Sequence, residues 1–357
     1  MSGVSQDTEF HHIAIKRLHP TFGAEISGVD FSKPVTEEVF AEILAAIKKV
    51  GLTYLYSLKI LYGVCVFRNT SLDDAGHIAF ATQFGELDDV TPYIAGGRAH
   101  RLSDVRLFDV GNIDLDGGVF ALDNVRREWN KVSETSGEAN PYPNIKHQPG
   151  LMNVCKGNGL FHVDSSFNPR RAGYSLLRAA ELPPAGLGGE TEFADSRSAF
   201  GDLESQLQDH LRAQDFIAAH SLWHSRKLAS PSTFAEVNPD EYPMGRHRLV
   251  QTHEGSGRET LYLAAHIHHI EGLEEEASTA LVERLLAHAT QTRYVLRVDW
   301  VNVGDLVLWD NTSVMHRAVG GQFEGRFRRD MRRATVHDGS SAAWGLNERS
   351  EIRQGLP

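Results

Sequence analysis

The stretch HVDSSF, beginning at His162, sets an imidazole and a carboxylate two residues apart. On an extended chain alternate side chains share a face, so His162 and Asp164 point one way and Val163 the other. These are two arms of a two-histidine, one-carboxylate site, which holds Fe(II) by three protein ligands and leaves positions open for chemistry. The pattern alone is common in hydrogen-bonded surface pairs, so a third ligand must come from elsewhere. WDNTSVMH offers His316, and in the preceding DLVLWDN run Val307 and Trp309 share a face. Next comes RFRRDMRRAT. As a strand it carries Arg329, Met331 and Arg333 on one face and Arg328, Asp330 and Arg332 on the other. A solvated basic face is the plain alternative, but Ala334, Thr335 and Val336 continue the strand pattern into a sheet. A buried arginine needs a carboxylate, and its fork suits a dicarboxylate. A rival metal set lies in HIHHIEGL, where His269 and Glu271 form H-x-E beside His266 and His268. It lacks a nearby anchor for an anion and runs straight into a helix start, so His266 and His269 read better as structural or pocket-wall residues.

The elements that must position these residues are mostly strands. Apolar or alternating runs at 173–179, 190–194, 248–253, 260–265, 293–299, 305–309 and 327–336 are bounded by Gly and Pro turns. Ahead of them, residues 13–30 read as short strands punctuated by Gly23 and Gly28, and 63–69 as another strand. Residues 110–118 read as a hairpin turning at Asp116-Gly117. Helices are expected at Thr36–Val50, Leu72–Phe84 and 274–289, the last with Leu281, Leu285 and Ala289 on one stripe. The stretch at 128–150 is polar and Pro-rich and reads as a long loop. The expected fold class is mainly β with flanking helices, a sandwich or jelly roll.

Composition narrows the function classes. The 357 residues are 41% hydrophobic and 23% charged, inside the globular range, which excludes wholesale disorder and fibrous folds. A formal charge of −11 disfavours bulk nucleic-acid binding and favours a small-molecule role. Two cysteines, Cys65 and Cys155, cannot form a disulfide framework. The N-terminus lacks a secretory layout, and no apolar run approaches the ~18 residues of a membrane span. A cytoplasmic protein with no membrane partner is the expectation.

The blocks GNGLFHVDSSF, LPPAGLGGETEFADSRSAF, RLVQTHEGSGRETLYLAAHIHHIEGL and NVGDLVLWDNTSVMHRA…RRDMRRAT, in that order, resemble the taurine / 2,4-dichlorophenoxyacetate dioxygenase family. HPTFGAEISGVDFSKPV and VCVFRN…FATQFGEL are similar too. HVDSSF, GETEFAD and THEGSGR point to the aryloxyacetate branch. The resemblance implies a double-stranded β-helix and an Fe(II)/2-oxoglutarate-dependent dioxygenase using O2. It assigns His162, Asp164 and His316 to iron, Thr191 and Arg329 to the distal carboxylate of 2-oxoglutarate, and Trp309 to an aromatic wall beside that cosubstrate. It assigns Arg333 to an anionic substrate, an aryloxyacetate-like ether first. Sulfonates, purines and amino acids are alternatives, as is a non-catalytic binding protein on the same fold. An internal acid such as Asp195 is the competing partner for Arg333. The resemblance implies one catalytic domain over 1–357 with its core at 13–338, and a homo-oligomer is compatible with it. The apolar, tyrosine-rich stretch 50–62 stands out as an insertion, either of the lineage or from a retained intron. The tail 339–357 and the 128–150 loop fall outside the family pattern.

Overall fold

The long apolar runs form strands because each is covered on both faces. In this computed structural model, which describes residues 10–48, 62–94, 100–113, 115–119, 157–229, 231, 234–350 and 353, the strands in chain order are as follows. They are β1 (Ala14–Arg17), β2 (Ala24–Ser27), β3 (Val64–Phe67), β4 (Leu107–Asp109), β5 (Ala172–Glu181), β6 (Thr191–Asp195), β7 (Ile217–His220), β8 (Gly245–Arg248), β9 (Val250–His253), β10 (Arg258–Leu261), β11 (Ile267–Ile270), β12 (Val295–Val298), β13 (Leu306–Asp310), β14 (Val314–Ala318) and β15 (Asp330–His337). The helices are α1 (Glu37–Lys48), α2 (Asp74–Thr82), α3 (Thr91–Ile94), α4 (Ser196–Gly201), α5 (Ser205–Gln214), α6 (Leu222–Ala229) and α7 (Glu275–Ala289).

A seven-stranded sheet runs β1-β2-β3-β13-β5-β15-β4, and a smaller sheet runs β12-β6-β14. Val66, Leu177, Val307 and Met331 from the large sheet pack with Phe193, Val298 and Val314 from the small one. This is the jelly-roll sandwich, with the site built between its two sheets. On the outer face of the large sheet, Ile43 and Ile47 of α1 and Ile78 and Phe80 of α2 pack with Cys65, Phe67, Leu176 and Leu308. Behind the small sheet, Leu285 and Ala289 of α7 join a third cluster, with Leu281 partly buried against it. The α2 start is fixed by Asp73, whose carboxylate accepts from Gly76 N–H at 2.7 Å.

Several expectations need adjustment. The 110–118 hairpin is reduced to one bridge, Ile113 to Val119, although its turn holds, with Gly117 at φ +83° and Asp116 accepting from Gly118 N–H. The first helix is described only as far as Lys48, so the 50–62 insertion, apart from Tyr62, lies outside the described residues, as does the 128–150 loop. Tyr62 itself is buried against α1. The strands β4, β7, β11 and β14 and most of β8 were not foreseen. They are three to five residues long, so no period-2 signal marks them.

Strand β15 is anchored by charge. Asp330 and Arg332 point to its outer face, where Asp330 accepts from Arg101 at 2.7 Å and Arg332 at 2.8 Å, and Arg332 also reaches Asp74 of α2. Burial alone would raise the Asp330 pKa, but the hydrogen bonds from Arg101 and Arg332 outweigh it and hold the carboxyl at about 2. A depressed carboxyl contributes stability above its ordinary pKa and loses it as pH falls toward the folded value. Asp330→Asn is therefore expected to lower stability at pH 7 and to flatten its decline between about pH 4 and pH 2. Urea melts across that range check it; identical acid slopes in the two proteins would show that the cluster is not linked to folding.

Candidate metal and cosubstrate site

The third ligand arrives by strand pairing. His162 forms an isolated bridge with His316, each backbone N–H donating to the other's carbonyl at 3.0 and 2.8 Å. The HVD segment is thus a single bridge residue followed by a turn, and that turn, rather than strand alternation, brings Asp164 round. One ligand atom each from His162, Asp164 and His316 lie within 4.8 Å of one another, and no other such group of metal-binding residue types occurs among the described residues. The rival set is dispersed: Glu271 is held by Arg246 at 2.5 Å, and His269 faces His268 at 2.9 Å. His266 is instead a wall of the adjoining cavity.

The donor chemistry fits a divalent iron. His162 Nδ1–H donates to the Leu160 carbonyl at 2.7 Å, which leaves Nε2 as the unprotonated, ligating nitrogen. Burial lowers the pKa of both histidines, His316 strongly, so both are neutral at pH 7. Burial would raise the Asp164 pKa, yet the Arg333 guanidinium, foremost, and the Ser175 hydrogen bond bring it down to about 2, and the carboxylate is ionised. Two neutral imidazoles and one carboxylate, all buried, are the set that the family resemblance implied, two of them by the spacing of HVD.

Around Asp164 the structure places one residue that spacing did not reveal, Ser175, and one that it did, Arg333. Ser175 on β5 donates to Asp164 Oδ2 at 2.7 Å, and Arg333 donates to Oδ1 at 2.5 Å. Asp195 is not the partner of Arg333; it pairs with Arg197 at 2.8 Å. Trp309 lies behind His316, with ring centroids 4.6 Å apart, and its indole N–H donates to Asn311 at 3.1 Å.

The other arginine of that face, Arg329, is 2% exposed. Its Nε and an Nη donate to the Gly189 carbonyl, at 3.2 and 2.9 Å. Gly189 has φ +93°, and a Cβ there would come within 3.2 Å of Arg329 Nε, so only glycine lets the backbone lie against the guanidinium. Burial pulls the Arg329 pKa down to about 10, with Glu190 and Glu324 acting the other way, so it stays cationic at pH 7. No described carboxylate forms an ion pair with it. A buried cation without a counter-charge is costly to the protein. Thr191 follows two residues after Gly189, and its hydroxyl accepts from the Trp300 indole N–H at 3.1 Å, which leaves its own proton to donate.

A cavity of about 270 Å3 opens beside His162 and Asp164. Val90, Tyr93, Phe108 and Phe167 give it an apolar and aromatic wall, and Arg333, Arg226 and His266 supply polar groups. The Arg333 guanidinium lies over the Phe108 ring at 4.9 Å, and its buried Nε has no hydrogen-bond partner. Of these wall residues, sequence reasoning singled out only His266 and Arg333. Phe108 comes in by cross-strand register with Arg333, and Tyr93 sits on the short helix α3.

The profile of the taurine catabolism dioxygenase TauD, TfdA family matches residues 14–335. An alpha-ketoglutarate-dependent 2,4-dichlorophenoxyacetate dioxygenase from Cupriavidus pinatubonensis is 34% identical over 321 residues, covering 90% of this chain and 96% of that one. An (S)-phenoxypropionate/alpha-ketoglutarate-dioxygenase from Sphingobium herbicidovorans is 29% identical over 85% of this chain and 88% of its own length. Among solved structures, AAD-2 in complex with Mn(II) and N-oxalylglycine superposes with a TM-score of 0.71 at 32% identity, covering 92% of this chain and 98% of that one.

Proposed function

The chain belongs to the TauD, TfdA family and is an Fe(II)/2-oxoglutarate-dependent dioxygenase that oxidises a small organic substrate; from that premise we propose how its own residues divide the work. His162, Asp164 and His316 hold the iron. Arg329 pairs with the distal carboxylate of 2-oxoglutarate and Thr191 donates its hydroxyl to it. Trp309 packs against His316 beside the cosubstrate, and Arg333 anchors a carboxylate on the substrate. The observation that carries this is the pairing of a buried three-ligand cluster with a buried arginine that has no carboxylate partner among the described residues.

Bound Fe(II), with O2 and 2-oxoglutarate, supplies an oxidant that puts one oxygen atom into a substrate C–H bond, while 2-oxoglutarate becomes succinate and CO2. The protein's share is orientation and exclusion of water. The aromatic wall suits an aryl ring, and Arg333 stands at its edge with an unused donor. An aryloxyacetate-like ether fits both features. Hydroxylation beside the ether oxygen gives a hemiacetal that collapses to a phenol and glyoxylate. Succinate release from a panel of aryloxyacetates, alkyl sulfonates, purines and amino acids tests this. Turnover of aryloxyacetates above the others is expected; preference for a neutral purine would overturn the substrate assignment.

Two variants divide the roles. Arg333→Gln is expected to raise KM for a carboxylate substrate by roughly ten- to a hundredfold, the worth of a hydrogen bond to a charged group. A neutral analogue of the same ring should lose only what the broken Asp164 pair costs, so its KM should rise less than that of the carboxylate. Equal loss on both would remove Arg333 from the anchor. Thr191→Ala is expected to raise the 2-oxoglutarate requirement by about 1.5–3 kcal/mol, again roughly ten- to a hundredfold, with Thr191→Ser restoring most of it. An unchanged KM for 2-oxoglutarate in Thr191→Ala would contradict that contact. We further propose a single catalytic domain working in the cytoplasm on small molecules alone. The net charge of −11 and the buried free thiol of Cys65 support it, and among the described residues no helix is long and apolar enough to cross a membrane.

A further inference from the structure

Besides the Arg333 pair on Oδ1, Asp164 is held by two residues that line neither the cavity nor the Arg329 guanidinium, Asn311 and Ser175. Its backbone N–H donates to Asn311 Oδ1 at 3.0 Å, and the same oxygen accepts the Trp309 indole N–H at 3.1 Å. With its oxygen so committed, the Asn311 amide can turn only its NH2 toward Ser175, donating to Oγ at 3.0 Å. Ser175 Oγ is thereby an acceptor on one side, and its proton is directed to Asp164 Oδ2 at 2.7 Å. Ser175 is fully buried and Asn311 is 1% exposed, so water does not compete with this relay. Each carboxylate oxygen has two lone pairs, and the Ser175 bond uses one of those on Oδ2.

We propose that Ser175 and Asn311 are positioning residues for the metal centre: the relay from Asn311 through Ser175 fixes the rotation of the Asp164 carboxylate, while the Asn311 oxygen fixes its backbone and ties Trp309, and through it His316, to the same point. The relay is set by sheet register. Ser175 on β5 stands opposite Trp309 on β13, and Asn311 follows directly after β13. Trp309 in turn lies against His316. One small polar cluster therefore couples two of the three ligands, and it is this chain's alternative to letting a buried carboxylate choose among rotamers.

The proposal rests on Asp164 being an iron ligand, and the test separates the two. Mn(II) binding to metal-free protein, without 2-oxoglutarate, is titrated by electron paramagnetic resonance for the parent, Ser175→Ala, Asn311→Ala and His316→Ala, with thermal unfolding of each apoprotein recorded alongside. Loss of an outer hydrogen-bonding partner typically weakens metal binding ten- to a hundredfold. Ser175→Ala and Asn311→Ala are expected to show that loss while keeping a cooperative melt, and Ser175→Thr, which keeps the hydroxyl, is expected to recover part of it. If His316→Ala loses Mn(II) but Ser175→Ala and Asn311→Ala bind it as the parent does, the positioning role is wrong and the ligand assignment stands. If His316→Ala binds Mn(II) as the parent does, the ligand assignment itself fails. If neither Ser175→Ala nor Asn311→Ala folds, the cluster is a folding element, and the positioning role is likewise overturned.

Discussion

His316→Ala is expected to abolish iron-dependent succinate release and to leave the purified protein without stoichiometric iron. His316 is the only ligand on β14, and its ring packs against Trp309 and beside Phe193, with Nε2 at 3.8 Å from Asp164 Oδ2. Removing it leaves one imidazole and one carboxylate, too few to hold an open-sided ferrous site against water. The loss should exceed the ten- to hundredfold typical of an outer partner. The fold should survive, because the bridge between residues 162 and 316 is made by backbone groups on both sides. His162→Ala and Asp164→Ala are expected to behave in the same way. The check is iron content and succinate release on protein with a parent-like melt; full turnover by folded His316→Ala would show that another residue is the ligand.

Arg329→Ala is expected to raise the 2-oxoglutarate requirement by about 3–5 kcal/mol, two to three and a half orders of magnitude, the cost of leaving a buried charge without its partner. The guanidinium is buried, remains cationic and finds no carboxylate among the described residues, which is the ground for the proposed pairing with 2-oxoglutarate. Taking it away removes a desolvated cation from the apoprotein, so thermal stability should change far less than cosubstrate affinity. Arg329→Lys should recover only part of the affinity, because an ammonium has the charge without the planar fork. The 2-oxoglutarate dependence of succinate formation checks it. A KM within twofold of the parent in Arg329→Ala would place the distal carboxylate elsewhere.

Legibility in the sequence followed the physics of each residue. Strands β5, β6, β13 and β15 are readable because central strands are apolar on both faces or alternate cleanly, and the parity of RFRRDMRRAT separates Arg329 and Arg333 from Asp330 and Arg332 as the structure does. Strand β14 is not, since VMHRA is five residues with two polar ones and no period to follow. His162 and Asp164 stand out by residue type and spacing. His316 and Thr191 needed the family resemblance, because their contacts depend on which strands pair. Ser175 and Asn311 were invisible for the same reason: they hydrogen-bond across a sequence separation of 136 residues, and only the β5–β13 register brings them together. An internal acid was the competing reading for Arg333, with Asp195 as its example; the acid beside it is Asp164, which only the fold brings there, and Asp195 pairs with Arg197.

The most direct measurement is an anaerobic titration of metal-free protein with Fe(II) and then 2-oxoglutarate, reading both ligands by equilibrium dialysis in the parent, His316→Ala and Arg329→Ala. The parent should bind one of each per chain. Arg329→Ala should keep its iron and lose 2-oxoglutarate at concentrations that saturate the parent, and His316→Ala should lose both. Parent-like 2-oxoglutarate binding by Arg329→Ala, or parent-like iron binding by His316→Ala, would contradict the division of roles between the three-ligand cluster and the buried arginine.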